Sequence, residues 1–253
     1  MKICILSHAR CRSSLLVHSF ANHYNILNKQ EHYLDHKQLN LKEKIKFRTK
    51  INCESFKHEL YKTKIKEYTD TLFAENNFVI KFWPRMLNST EFNFNFKYLI
   101  LDLEYYFRFK DYDKIILSDR NLVDSVCSLE LAIKYGYNAT DANIAEFMIK
   151  QKYRNVSHNR IHLHDWNKSF IIEILLIQNI KEYLIKNSIP FTYLQFDDIP
   201  AFLNNNIPNY QNLKVPVDTG VKYKDCIENY EELSDQIELY KEQILPMINN
   251  IAF

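Results

Sequence analysis

Short, strongly apolar runs alternate along the chain with longer segments in which apolar residues recur at helical spacing. Runs such as Ile3-Cys4-Ile5-Leu6 and Lys114-Ile115-Ile116-Leu117 are typical of strands that are buried on both faces of a parallel sheet. The pattern predicts strands at residues 2–6, 32–34, 77–83, 114–118 and 191–196. It predicts helices at residues 13–27, 54–74, 98–109, 122–135, 141–153, 166–186 and 228–251, and a loop at residues 201–217. This alternation predicts an α/β fold, a three-layer sandwich with a central, mostly parallel sheet of about five strands, in one domain spanning residues 1–253.

Composition and charge narrow the classes of protein that the chain can belong to. The net charge of +2 predicts no broad electrostatic footprint for nucleic acid. Apolar runs fall short of the ~20 residues that a membrane span needs, so we expect no membrane association. The five cysteines are widely spaced and form no C-x-x-C pair, which favours reduced thiols, a cytoplasmic location and no metal site.

The glycine count excludes the common phosphate-binding motifs. The chain contains only two glycines, Gly136 and Gly220. Neither the G-x-G-x-x-G dinucleotide fingerprint nor the G-x-x-x-x-G-K-[ST] P-loop can therefore be written. A phosphate site in this chain has to be built without glycine.

Two segments nevertheless have the pattern of an anion site. Each has a short buried strand, then an arginine, then hydroxyl residues that enter a helix. The first segment is Ala9-Arg10-Cys11-Arg12-Ser13-Ser14-Leu15-Leu16, and the second is Arg120-Asn121-Leu122-Val123-Asp124-Ser125-Val126-Cys127-Ser128. Strand-to-helix turns bind anions because the first helical N–H groups lack internal partners and the helix dipole favours negative charge. Arginines in a first helical turn oppose that dipole, and a bound anion would compensate them.

Taken together, these segments resemble the sulfotransferases that use 3′-phosphoadenosine-5′-phosphosulfate (PAPS). The first signature of that family is a P-[RK]-[ST]-G-[ST]-[ST]-[LW]-like loop, and here Ala9 stands for the proline, Cys11 for a hydroxyl residue and Arg12 for the glycine. The second signature is a strand ending in arginine with a serine eight residues later, a spacing that Arg120 and Ser128 keep. The segments Phe78-Val79-Ile80-Lys81 and Tyr193-Leu194-Gln195-Phe196-Asp197-Asp198-Ile199 resemble the third strand and the late strand of the family.

The resemblance implies a sulfotransferase-like fold, related to the P-loop nucleotide-binding proteins, and a role for each matching residue. The residues that it implies for the cofactor are Arg10, Cys11, Arg12, Ser13, Ser14 and Leu15 at the 5′-phosphosulfate, and Arg120 and Ser128 at the 3′-phosphate. Arg10 would also stabilise the charge that develops on the bridging oxygen, and Lys81 would neutralise the sulfonate. The general base is expected at His36, with Asp35 beside it, in the turn after the predicted second strand.

The expected function is transfer of the sulfuryl group from PAPS to a hydroxyl of a carbohydrate or small molecule, which leaves 3′,5′-adenosine bisphosphate (PAP) and requires no metal. Two alternatives stay open at this point. One is a nucleotide-dependent phosphotransferase with a degenerate phosphate loop, and the other is a non-catalytic protein that binds PAP or another nucleotide. The identity of the acceptor and the oligomeric state are not predicted by the sequence.

Overall fold

A computed structural model describes residues 1–8, 11–29, 54–84, 99–134, 160–208 and 222–251. The strands are β1 (Lys2–Ser7), β2 (Leu27–Asn28), β3 (Phe78–Phe82), β4 (Lys114–Asp119) and β5 (Thr192–Gln195). The helices are α1 (Ser13–Tyr24), α2 (Glu54–Ala74), α3 (Leu103–Phe107), α4 (Leu122–Lys134), α5 (Asp165–Lys186), α6 (Ile199–Asn206), α7 (Tyr223–Cys226) and α8 (Tyr230–Asn249). Short 3₁₀ turns lie at Phe109–Asp111 and Phe196–Asp198.

The five strands form one sheet in the order β2-β3-β1-β4-β5, and every pairing is parallel. Strands β1, β3 and β4 are buried almost throughout because helices cover both faces of the sheet. Ile3 and Ile5 point toward α1 and α6, whereas Cys4 and Leu6 belong to the larger core that includes α4, α5 and α8. The predicted three-layer α/β architecture is therefore confirmed.

The strand order places a topological switch point at the carboxyl ends of β1 and β4. The chain leaves β1 toward β2 and β3 on one side of the sheet, and it leaves β4 toward β5 on the other side. In open α/β sheets, ligands bind in the crevice at such a point. Both arginine segments follow these two strands, so the topology brings them to the same crevice.

Three of the predicted elements are wrong in extent. The helix predicted at residues 13–27 ends at Tyr24, since Asn25 is left-handed with a φ of 51° and Leu27 already belongs to β2. Residues 98–109 are predicted as one helix, but α3 covers only Leu103–Phe107, since the Asp102 side chain caps it at Tyr105 N and Arg108 ends it with a left-handed φ of 54°. Residues 201–217 are predicted as a loop, yet α6 extends to Asn206 with a proline in its first turn, where proline is tolerated.

Two further predictions lie outside the described residues, namely the strand at 32–34 and the helix at 141–153. The second strand of the described sheet is β2 instead, only two residues long. No helix within the described ranges is long and apolar enough to cross a membrane.

Candidate functional site

The first arginine segment ends in an uncapped helix start. Arg12 is the residue before α1, and its backbone is left-handed, with a φ of 56°. Glycine adopts this conformation most readily, and Arg12 stands where the first signature of the resembled family has a glycine. The first bond of the helix runs from Leu16 N to Arg12 O, so the N–H groups of Ser13, Ser14 and Leu15 have no partner inside the helix. Among the described residues, no side chain caps this end, and its first turn holds no acid. The turn therefore presents backbone donors to an anion.

Strand β4 fixes the position of this turn. The Cys11 thiol donates to His8 O over 2.7 Å, and the Ser118 hydroxyl donates to Cys11 O, also over 2.7 Å. Ser118 pairs with Ser7 in the sheet, so both bonds connect the turn to the carboxyl edge of the strands. Burial raises the pKa of the Cys11 thiol to about 11, with smaller contributions from neighbouring groups. Cys11 is therefore a neutral, fully buried anchor of the turn, and the cofactor-binding role that the resemblance implies for this residue stays a prediction.

The second arginine segment is held by aromatic rings. The Arg120 guanidinium carbon lies 3.8 Å from the centroid of the Phe196 ring and 5.1 Å from that of Tyr223. Phe196 directly follows β5, the strand next to β4, and Tyr223 begins α7. Such contacts stabilise a guanidinium and restrict its orientation while its N–H groups can still bind an anion.

Arg12 contacts the same ring, which brings the two segments together. Its guanidinium carbon also lies 3.8 Å from the Phe196 centroid, and its Nη1 donates to Phe196 O over 2.8 Å. The guanidinium carbons of Arg12 and Arg120 are therefore separated by no more than twice that ring distance. Two like charges this close repel by about 2 kcal/mol or more at an effective dielectric constant of about 20. A bound anion between or beside them would relieve that repulsion.

Lys81 adds a third cation on the same side of the sheet. It is only 4% exposed, and it pairs in register with Ile5 of β1. Its ammonium lies 4.5 Å from the centre of the Trp83 ring. Burial lowers the pKa of His18, and the charge of Lys81 lowers it further. The same charge also lowers the pKa of Cys11, against the larger effect of burial. Lys81 therefore lies near the start of α1, as an anion-binding role requires.

Ser128 lies on α4 and is buried, with 3% exposure. Burial raises the pKa of its neighbour Cys127 to about 12, while the charge of Arg120 acts in the opposite direction. Ser128 is the seventh residue of α4, the helix that begins two residues after Arg120. The structure thus brings Arg12, Ser13, Ser14, Arg120 and Lys81 to one edge of the sheet, with Ser128 on the adjoining helix.

A buried carboxylate network at the same edge was missed by the sequence interpretation. Asp119 accepts hydrogen bonds from His8 Nε2 (3.3 Å), Arg120 N (2.8 Å), Gln178 Nε2 (2.9 Å) and Tyr193 OH (3.0 Å). Burial by itself raises the pKa of Asp119, but the bonds from His8, Arg120 N and Tyr193, with the charge of His8, hold it below the usual 3.8. The only signal in the sequence is an acid that directly precedes Arg120.

Three predicted site residues, Arg10, Asp35 and His36, lie outside the described residues, and so does Ala9. Their roles stay predictions. Within the described ranges, no group of three or more His, Cys, Asp or Glu side chains is arranged to hold a metal ion.

The chain was compared with known proteins. Neither a known protein-family model nor a curated protein sequence matches it with significant similarity. The function is therefore inferred from the arginine segments themselves and from the contacts that bring them together.

Proposed function

We propose that this protein binds PAPS at the carboxyl edge of β1 and β4 and transfers its sulfuryl group to a hydroxyl acceptor. The observation that carries the proposal is the contact of Arg12 and Arg120 with the single ring of Phe196. These two residues come from the two segments that resemble the 5′ and 3′ phosphate-binding signatures. Convergence of the two segments in space is the property that a ligand with two separate phosphate groups needs.

The chemistry of the described donor set fits such a ligand. The N–H groups of residues 13–15 and the hydroxyls of Ser13 and Ser14 would hold the 5′-phosphosulfate. Arg120, with Ser128 from α4, would hold the 3′-phosphate, because a guanidinium offers a planar fork of donors. Asp119, the carboxylate that directly precedes Arg120, already accepts four hydrogen bonds, so it is engaged by the protein.

Catalysis in this proposal consists mainly of positioning and charge stabilisation. PAPS supplies an activated sulfuryl group, and its transfer has a loose transition state in which negative charge develops on the leaving phosphate. Lys81 would neutralise charge on the sulfonate, and Arg10 would stabilise the bridging oxygen. His36, supported by Asp35, is the proposed base for the acceptor hydroxyl. We propose a carbohydrate or small molecule as the acceptor.

Isothermal titration with PAP tests the proposal directly. Wild-type protein should bind PAP more tightly than adenosine 5′-monophosphate, which lacks the 3′-phosphate. Arg120→Met should weaken PAP binding by roughly 10- to 100-fold, since a hydrogen bond to a charged group contributes about 1.5–3 kcal/mol. It should leave the affinity for adenosine 5′-monophosphate nearly unchanged.

Arg160→Met is the matched control, because Arg160 is an exposed arginine that pairs with Glu232 and lies outside the site. It should leave PAP binding unchanged. Equal PAP affinity of wild type and Arg120→Met would refute the site. Tighter binding of ATP with Mg²⁺ than of PAP would favour the phosphotransferase instead. PAP binding without sulfate transfer to any of a panel of hydroxyl acceptors would favour a non-catalytic binding protein.

A further inference from the structure

We propose that Asp119 is a positioning residue that couples the two arginine segments to each other. This inference rests on the proposed function for its ligand, but it concerns contacts within the protein. Asp119 is the last residue of β4, with 8% exposure, and it lies at the switch point between the two segments. Its described side-chain partners are groups of the protein, among them the backbone N–H of Arg120, so its proposed role is to position the site and not to bind the ligand.

One carboxylate oxygen links the two segments. Oδ1 of Asp119 accepts from His8 Nε2 and from Arg120 N. His8 directly follows β1, and its carbonyl oxygen accepts a hydrogen bond from the thiol of Cys11 in the turn before α1. A chain of contacts therefore runs from the turn before α1, through His8 and Oδ1, to the backbone of Arg120.

The second carboxylate oxygen fixes the carboxylate itself. Oδ2 accepts from Gln178 of α5 and from the hydroxyl of Tyr193 on β5. Gln195 in turn donates to the Tyr193 hydroxyl over 2.6 Å. Donors from two further elements thus restrict the orientation of the group, and Oδ1 stays directed toward both segments.

The chemistry of the group supports a positional role. An aspartate directly before Arg120 tends to weaken anion binding, since its charge has the same sign as the ligand. Its presence is explained by its acceptor capacity, because an ionised carboxylate is the only side-chain group here that can accept from all four donors at once. Each bond to this charged acceptor is stronger than a bond between neutral groups.

Hydrogen exchange measured by mass spectrometry tests the coupling without any ligand. Asp119→Ala should speed amide exchange by about tenfold or more in both residues 11–16 and residues 119–125, because Arg120 N loses its acceptor and His8, to which Cys11 is bonded, loses its carboxylate partner. Asp119→Asn should restore most of the protection. Its oxygen can replace Oδ1, while the hydroxyl of Tyr193 and a reoriented amide of Gln178 can accept from its nitrogen.

Asp124→Ala is the control, because Asp124 lies in the same region but its described side-chain partner is the hydroxyl of Tyr230 on α8. It should leave exchange in residues 11–16 unchanged. If Asp119→Ala does not fold, Tyr193→Phe removes one anchor of Oδ2 and should raise exchange in both segments by a smaller factor. The coupling would be overturned if amide exchange rose in only one of the two segments. It would also be overturned if Asp119→Asn exchanged as fast as Asp119→Ala or Tyr193→Phe.

Titration with PAP in the same preparations separates this inference from the proposed function. A wild-type protein that does not bind PAP would refute the proposed function, whereas the exchange data alone would still decide the coupling. If wild type binds PAP, Asp119→Ala should weaken that binding and Asp119→Asn should restore it. Unchanged exchange and unchanged PAP affinity in Asp119→Ala would overturn the positioning role and leave the proposed function standing.

Discussion

Replacing Phe196 by leucine removes the aromatic face that both Arg12 and Arg120 contact. The side chain stays apolar, and the bond from Arg12 Nη1 to Phe196 O is kept because it involves the backbone. Among the described contacts of the ring, the two cation–π contacts, each at 3.8 Å, are lost. The substitution therefore tests whether the ring organises the pair of arginines.

The expected loss of stability follows from the burial of the three side chains. All three side chains are half-buried, and a cation–π contact at such sites contributes about 0.5–1 kcal/mol, so the free energy of unfolding should fall by about 1–2 kcal/mol. Both guanidiniums lose the ring that orients them, although Arg12 keeps its bond to Phe196 O and Arg120 its contact with Tyr223, and ordering them again when PAP binds costs up to about 0.5–1.5 kcal/mol each. Roughly 5- to 150-fold weaker PAP binding is expected.

Urea unfolding and isothermal titration with PAP measure the two effects. Phe202→Leu is the matched control, since Phe202 is also half-buried and its described ring contact is with Phe20 and not with an arginine. Phe196→Tyr keeps the aromatic face and should bind PAP like wild type. The reasoning would be refuted if Phe196→Leu bound PAP as tightly as Phe202→Leu.

Two further predictions separate stability from binding. Arg12→Gly should leave the free energy of unfolding within about 1 kcal/mol of wild type, because the relief of the left-handed φ of 56° offsets the lost contacts with Phe196. Its PAP affinity should nevertheless fall, and unchanged affinity in calorimetry would contradict this prediction. The depressed pKa of Asp119 means that its ionised form contributes stability above the ordinary pKa of 3.8 and that this contribution disappears as the pH falls through the lower, folded-state value. Urea unfolding between about pH 5 and pH 2 should therefore show a smaller acid-dependent loss in Asp119→Asn than in wild type, and equal losses would argue against the bonded carboxylate.

Parts of the fold could be predicted from the sequence because the responsible interactions are local or periodic. The prediction for α2, at residues 54–74, matches the observed Glu54–Ala74, and β4 is longer than predicted by only one residue. Fully apolar runs and sustained helical spacing give signals of this kind. Strand β2 gives no such signal, since two residues carry no periodicity and its pairing with β3 depends on the rest of the sheet.

The candidate site, like the fold, was predicted from the sequence only in part. The sequence indicated two arginine segments, each after a buried strand and before a helix, and parallel strands carry their carboxyl ends to one edge of a sheet. It could not show that Phe196 lies under both guanidiniums. The hydrogen bond from Arg12 to that residue spans 184 positions of the chain.

By itself, then, the sequence determined the α/β class, the absence of glycine-based phosphate loops and the identity of the two arginine segments. Only the tertiary structure decided that β1 and β4 are neighbours, that one aromatic ring contacts both arginines and that Asp119 joins the His8 side chain to the backbone of Arg120. The physical reason is that periodicity and composition report interactions between residues close in the chain. Strand order and side-chain convergence are set by packing between distant residues, which no local pattern records.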